Sequence, residues 1–169
     1  MAQTAEPYEY RVLDALCDMI GAISPPDGYW HDWETPNQMP GARSPGQVHS
    51  VVVVGKEEVS LDIEEQQHGL GYTNESMVEI TVFVPDNLAT RASNTNELYK
   101  YIARALDDLK RVMRQNPYIV ENVAGPLRYR GKRIEMSENS DIPYPTRLIT
   151  QWVSSYVQSS LEPSTVPAS

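Results

Sequence analysis

The longest amphipathic pattern in the chain, residues 94–115, constrains its fold most. Apolar side chains recur there at three- and four-residue spacing, the repeat of one face of an α-helix. The stripe contains Leu98, Tyr101, Ile102, Ala105, Leu106, Leu109, Val112 and Met113. Asn94 suits the N-cap, Glu97 completes a capping-box-like start, and Pro117 ends the helix because a residue before proline avoids helical geometry. The pattern predicts one long helix that buries a single face.

Two strand patterns precede this helix. Val78, Ile80, Val82 and Val84 share one face, because side chains along a strand repeat every two residues. Residues 48–63 form the other pattern, in which four consecutive valines suit a central strand and Gly55 marks a bulge or bend. Residues 65–75 are interpreted as a flexible connection between two antiparallel neighbours.

The remaining elements lie towards the two ends. Residues 8–23 have a helical apolar stripe, and residues 29–33 are interpreted as a short strand before a long proline-bearing loop, 34–47. Residues 146–158 fit either a helix or a strand, and their Thr, Ile, Val, Trp and Tyr content favours the strand.

Together these elements predict an α+β fold, with two helices packed on one face of a mostly antiparallel sheet. At 169 residues the chain suits a single domain. We expect that domain to span residues 8–158, between a flexible leader, 1–7, and a flexible C-terminal tail, 159–169.

The charge balance weighs against several classes of protein. Fourteen basic residues against 23 acidic ones give a net charge of −9, which disfavours binding to nucleic-acid phosphates. The sequence shows no signal peptide and no run of about 18 apolar residues that would span a membrane, so we expect a cytoplasmic site of synthesis. The single cysteine, Cys17, excludes an internal disulfide and is interpreted as a buried thiol.

The sequence contains no catalytic signature, and we expect neither a metal nor a cofactor. His31 and Asp32 are adjacent and would point to opposite faces of a strand, which disfavours joint metal binding. A rival reading keeps a small-molecule-binding protein or a hydrolase, whose site would be assembled from His31, Asp32 and His68.

Two sets of residues are candidates for an interface with another subunit or a partner. Tyr29, Trp30 and Trp33 cannot all turn inward, and aromatic residues are enriched at interface centres. The other set is the basic segment containing Arg128, Arg130, Lys132 and Arg133. That segment is either a solvated hairpin or a contact for an acidic surface, on a neighbouring copy or on nucleic acid.

The order of elements resembles one group of proteins. A helix, YRVLDALCDMIGAIS, is followed by GYWHDW, VVVVGKEEVSLDI and MVEITVFVP, then by the helix NELYKYIARALDDLKRVM and a final RLITQWVSSYV. Over residues 8–158 this order is similar to that of the tail terminator, or tail-completion, proteins of long-tailed bacteriophages, a group that includes minor tail proteins. The resemblance lies in architecture and not in a short motif, so a neck or head–tail joining protein remains an alternative.

The resemblance implies a structural virion protein rather than an enzyme. Such subunits form a homo-oligomeric ring, usually a hexamer, at the head-proximal end of the tail tube during viral tail assembly in the host cytoplasm. The ring would stop tube growth, contact the tail tube protein, and present a surface to the head connector or neck proteins.

The charge adds a hypothesis about DNA. DNA would pass through the lumen of the ring without specific binding, because acidic groups there would repel its phosphates. The protein would have no membrane partner, and a ring of one chain requires two different patches that meet head to tail.

Overall fold

The computed structural model describes residues 7–36, 46–60, 71–85, 95–120, 126–136 and 146–159. Two α-helices and four β-strands make up the fold. They are α1 (Tyr8–Gly21), β1 (His49–Ser60), β2 (Gly71–Phe83), α2 (Thr95–Gln115), β3 (Arg128–Met136) and β4 (Thr146–Ser159). A one-turn 3₁₀-helix, Pro25–Asp27, follows α1. No helix within these ranges is both long and apolar enough to cross a membrane.

Helix α2 has the bounds and the buried face that its sequence pattern predicts. It begins at Thr95 and ends at Gln115, with Glu97 in its first turn. Of the eight stripe residues, all except the half-buried Tyr101 are buried. The predicted N-cap Asn94 lies outside the described residues. Helix α1 ends two residues earlier than predicted, and its buried face is Tyr8, Val12, Leu16 and Ile20.

The four strands form one antiparallel sheet in the order β1-β2-β4-β3. Residues 146–159 are a strand, which confirms the strand reading of this segment. The assignment of residues 65–75 as a connection is wrong at its end, because β2 already begins at Gly71. There the pairing of Gly71 with Ser159 extends the ladder beyond the apolar part of the strand.

Both helices pack on one face of this sheet, as the sequence predicts. The strands contribute alternate residues to the layer beneath the helices, namely Val52, Val78, Ile80, Val82, Leu148 and Trp152. The opposite face carries Val53, Glu79 and Gln151 in one row across three strands. None of the described helices covers this opposite face, so we call it the open sheet face.

The predicted strand at residues 29–33 is wrong. Only Trp33 makes a strand-type contact, an isolated parallel bridge with Val48. The Asp32 carbonyl accepts a hydrogen bond from the Val48 N–H, and the Val48 carbonyl accepts one from the Glu34 N–H. Residues 29–32 instead form an irregular turn, in which Asp108 of α2 accepts hydrogen bonds from the Trp30 and His31 N–H groups.

Gly55 interrupts β1 as expected. Its φ of 74° lies in the left-handed region, and the pairing of β1 with β2 shifts register between Val54 and Glu58. A side chain at this position would also collide with the Glu9 carboxylate of α1. The positive φ is the reason that glycine suits this bend, because the exposed Glu9 side chain is able to move aside.

Candidate interaction surface

A buried carboxylate on α2 fixes the irregular turn that follows the 3₁₀-helix. The side chain of Asp108 is fully buried and accepts hydrogen bonds from four donors. Oδ1 accepts from the Trp30 N–H at 2.8 Å, and Oδ2 accepts from the His31 N–H at 3.1 Å. Oδ2 also contacts the Trp33 indole nitrogen at 3.1 Å and the His31 Nδ1 at 3.2 Å. The Asp108 carboxylate thus accepts two backbone hydrogen bonds that a neighbouring strand would accept if residues 29–33 were a strand.

These hydrogen bonds determine the protonation of Asp108. Burial alone would raise its pKa, because a low dielectric disfavours the charged form. The bonds from His31, Trp30 and Trp33 outweigh that effect and lower the pKa below its ordinary value. Burial raises the pKa of Tyr101, and the negative charge of Asp108 raises it further. The centres of the Tyr101 and His31 rings are 4.7 Å apart.

The neighbouring Asp107 holds the Trp30 side chain at the surface. Its Oδ2 accepts a hydrogen bond from the Trp30 indole N–H at 2.9 Å and pairs with the Arg111 guanidinium at 3.0 Å. The Arg104 and Arg111 guanidinium carbons lie 4.7 and 6.0 Å from the centre of the Trp30 ring. Trp30 is nevertheless 49% exposed. A rigid, half-exposed tryptophan between two arginines has the composition of an interface hot spot.

The three aromatic candidates for an interface therefore differ in exposure. Trp33 is 1% exposed and belongs to the core, so we remove it from the candidate interface. Tyr29 is half-buried, and its hydroxyl bonds Gln115 at the end of α2. It lines a shallow groove of about 560 Å³ between the C-terminal ends of α1 and α2, whose rim includes Asp18 and Asp27. Trp30 is the one of the three that is substantially exposed.

The basic candidates lie on the edge strand β3. Arg128 pairs with Glu75 and also bonds Ser155, so it reaches across β4 on the open sheet face. Arg133 pairs with Glu135 and approaches Glu79 at 3.9 Å. Arg130 is exposed and makes no ion pair with the described residues. Two of the four cations of this segment, Arg128 and Arg133, are thus neutralised by the chain's own carboxylates.

Of the three residues of the rival site the structure describes two, and the side chains of these two make separate contacts. His31 pairs with Asp108, whereas the side chain of Asp32 is exposed and bonds Gln47. His68 lies outside the described residues. Among the residues that are described, no cluster of three or more His, Cys, Asp or Glu side chains could hold a metal ion. His49 pairs instead with Glu34 at 2.8 Å beside the edge of the sheet.

Sequence reasoning missed Asp107 and Asp108, although a signal for Asp108 was present. Asp108 lies three residues after Ala105 and four before Val112, so it occupies a core position of the apolar stripe. A charge at such a position needs a buried partner. The partner was the GYWHDW segment, which lies more than 70 residues away in sequence.

The geometry of the described residues thus presents a surface that suits binding. Two comparisons with known proteins were negative: no protein-family model matches this sequence, and no curated protein matches it. The function has to be argued from the surface itself and from the resemblance in element order.

Proposed function

We propose that this protein is a structural subunit of a bacteriophage tail, a tail terminator that forms a ring at the head-proximal end of the tail tube. The order of elements supports the proposal, and so does the α+β fold with two helices on one face of a sheet. In this role the protein stops tube growth and joins the tube to the connector. It binds copies of itself, the tail tube protein and the neck proteins.

The observation that carries the proposal is the way Trp30 is displayed. Its backbone N–H is bound by Asp108 and its indole N–H by Asp107, so both ends of the residue are fixed before any partner binds. Pre-organised aromatic and arginine side chains lose little conformational entropy on association. This surface therefore supports a contact made repeatedly in an assembly better than it supports turnover of a substrate.

Trp30→Ala tests the role of this surface. We expect the variant to fold with a near-normal free energy of unfolding but to form rings and bind isolated tail tubes at least about tenfold more weakly. Tyr99→Ala is the matched control, since Tyr99 is another exposed aromatic residue, 54% exposed on α2. Light scattering measures the ring mass, and negative-stain imaging shows whether the protein caps tube ends.

The outcomes separate the candidate functions. Protein that caps tube ends and blocks further polymerisation of tube subunits is a tail terminator. Protein that binds only isolated connectors is a neck or head–tail joining protein. A wild-type chain that forms no ring and binds neither structure contradicts the proposal, as does full assembly by the Trp30 variant.

A further inference from the structure

The α2–β3 pocket is a small apolar depression at the end of α2 with two positive charges at its rim. Lys110 and Arg114 lie one helical turn apart above Met113, Leu127, Tyr129 and Trp152. The Lys110 ammonium lies 4.3 Å from the centre of the Tyr129 ring. Across the part of the chain that the structure describes, neither cation has a carboxylate partner. The rim thus offers positive charge that the subunit itself leaves unneutralised.

The size of this pocket favours a side chain over a free ligand. Its volume is about 240 Å³. Sites for small molecules usually enclose roughly 300–1,000 Å³. A single aromatic side chain with a neighbouring acid fits this space and its chemistry.

The α1 acidic stripe has the matching composition. Tyr10, Asp14 and Asp18 follow one another at four-residue spacing, so they share one face of the helix. All three are exposed, and Tyr10 is 57% exposed. No described residue forms an ion pair with Asp14 or Asp18. The stripe therefore carries unpaired negative charge beside one large exposed ring.

The two surfaces belong to different elements of the subunit, and Asp18 of the stripe also lines the groove between α1 and α2. The pocket joins α2 to β3 and its neighbour β4, and β3 is one edge of the sheet. Helix α1 lies against β1, the other edge strand, where Glu9 meets Gly55. A contact between two unlike patches repeats in one direction around a ring, which is the heterologous arrangement that cyclic assemblies of more than two copies require.

We propose that the α2–β3 pocket of one subunit receives the α1 acidic stripe of the next copy. Tyr10 enters the apolar depression, and Asp14 and Asp18 face Lys110 and Arg114, whose spacing along the helix is the same. This inference rests on the proposed ring, and it assigns two patches that meet there in addition to the Trp30 surface. Electrostatic complementarity of this kind fixes the register of an interface and excludes wrong partners.

Charge reversal tests the pairing. The full-length double variants Asp14→Lys/Asp18→Lys and Lys110→Glu/Arg114→Glu should each raise the concentration for half-assembly by about tenfold or more, because like charges then meet at every contact. The chain that carries all four substitutions should assemble again. An equimolar mixture of the two double variants should also assemble, since alternating copies restore opposite charges and close any even-numbered ring.

Controls isolate the pairing from general charge effects. Lys100→Glu/Lys132→Glu makes the same change in net charge as Lys110→Glu/Arg114→Glu, at two exposed positions outside both patches, and should assemble normally. Circular dichroism and urea unfolding of every variant check that each one folds. Light scattering at several concentrations gives the assembly midpoint.

The possible results of these experiments separate the inference from the proposed function. Rings that persist in both double variants overturn this inference alone and leave the proposed function standing. Dissociation without rescue, in folded protein, overturns it as well. A wild-type chain that neither forms rings nor binds tail tubes overturns the proposed function and this inference together.

Discussion

Replacing Asp108 by asparagine should reduce stability far more than its conservative chemistry suggests. An asparagine keeps one acceptor oxygen and replaces the other by an NH₂ group, which itself donates. If the oxygen takes the position of Oδ2, it still accepts from His31 and Trp33, and the NH₂ group faces the Trp30 N–H. That N–H then loses its acceptor, at a cost of roughly 1–3 kcal/mol.

The surviving hydrogen bonds of the variant also weaken. Bonds to a charged acceptor contribute about 1.5–3 kcal/mol each, compared with about 0.5–1.5 kcal/mol for neutral pairs. Because removing the charge also relieves the cost of burying it, the losses do not simply add. We therefore expect Asp108→Asn to lower the free energy of unfolding by about 2–4 kcal/mol, a large part of the 5–15 kcal/mol that is typical of a domain.

Urea unfolding at neutral pH measures this loss. Two of the three tryptophans, Trp30 and Trp33, bond the Asp107–Asp108 pair directly, so their fluorescence reports on the site itself. Protein concentration has to be equal for all variants, because assembly adds apparent stability. The change is read as a shift of the unfolding midpoint at an unchanged slope.

Asp107→Asn is the matched control. It makes the same chemical change at the adjacent residue, whose side chain is 46% exposed and forms a solvent-screened pair with Arg111. Such pairs contribute about 0–1 kcal/mol, so this variant should lose less than about 1 kcal/mol. Equal losses in the two variants, or a loss below about 1 kcal/mol for Asp108→Asn, would refute the role assigned to the buried carboxylate.

Three further predictions concern the fold. Leu109 is fully buried, so Leu109→Ala should cost about 2–5 kcal/mol in a urea titration, and a loss within error would mean that the helix face is misassigned. Gly55→Ala should cost about 1 kcal/mol or more in the same assay, because φ is positive there, and a neutral effect would contradict this. Asp108 has a lowered pKa, so its contribution is present above the ordinary carboxyl pKa of about 3.9 and lost as pH falls through the lower folded value. The stability difference between wild type and Asp108→Asn should accordingly shrink from pH 6 to pH 3, and a constant difference would count against the shift.

Local patterns predict the parts of this fold that bury one periodic face. Helix α2 has its predicted stripe and the antiparallel pair of β1 and β2 its predicted partners, because each depends on spacing within one segment. The start of β2 at Gly71 was not predicted, since pairing with β4 extends the strand into polar sequence. That pairing joins residues far apart in the chain and leaves no local periodicity.

The candidate site was harder to predict for the same reason. The alternation in residues 29–33 is typical of a strand, yet Asp108 captures two backbone N–H groups there and prevents a ladder. Asp107 and Asp108 decide which tryptophan is exposed. The Trp33 indole N–H donates to the buried Asp108, whereas the Trp30 indole N–H donates to Asp107 at the surface. The irregular turn and the exposure of Trp30 therefore both depend on contacts between residues more than 70 positions apart in the sequence.

The charges of the open sheet face bear on how DNA would pass through a ring. Glu79 is the central acid of this face, and it contacts Lys56 at 2.6 Å and Arg133 at 3.9 Å. Arg128 is likewise matched by Glu75. If this face lines the lumen, it repels DNA phosphates only weakly, despite the net charge of −9, because its acids are paired with cations. DNA then passes freely only while those cations stay paired with carboxylates and are not available to phosphates. We therefore expect wild-type rings to leave duplex DNA unretained at roughly 0.15 M salt. Glu79→Gln releases Lys56 and leaves Arg133 with only Glu135, so this variant should retain DNA in a salt-sensitive manner. Gel-shift titrations measure this, and retention by the wild type would overturn the idea that DNA passes without binding.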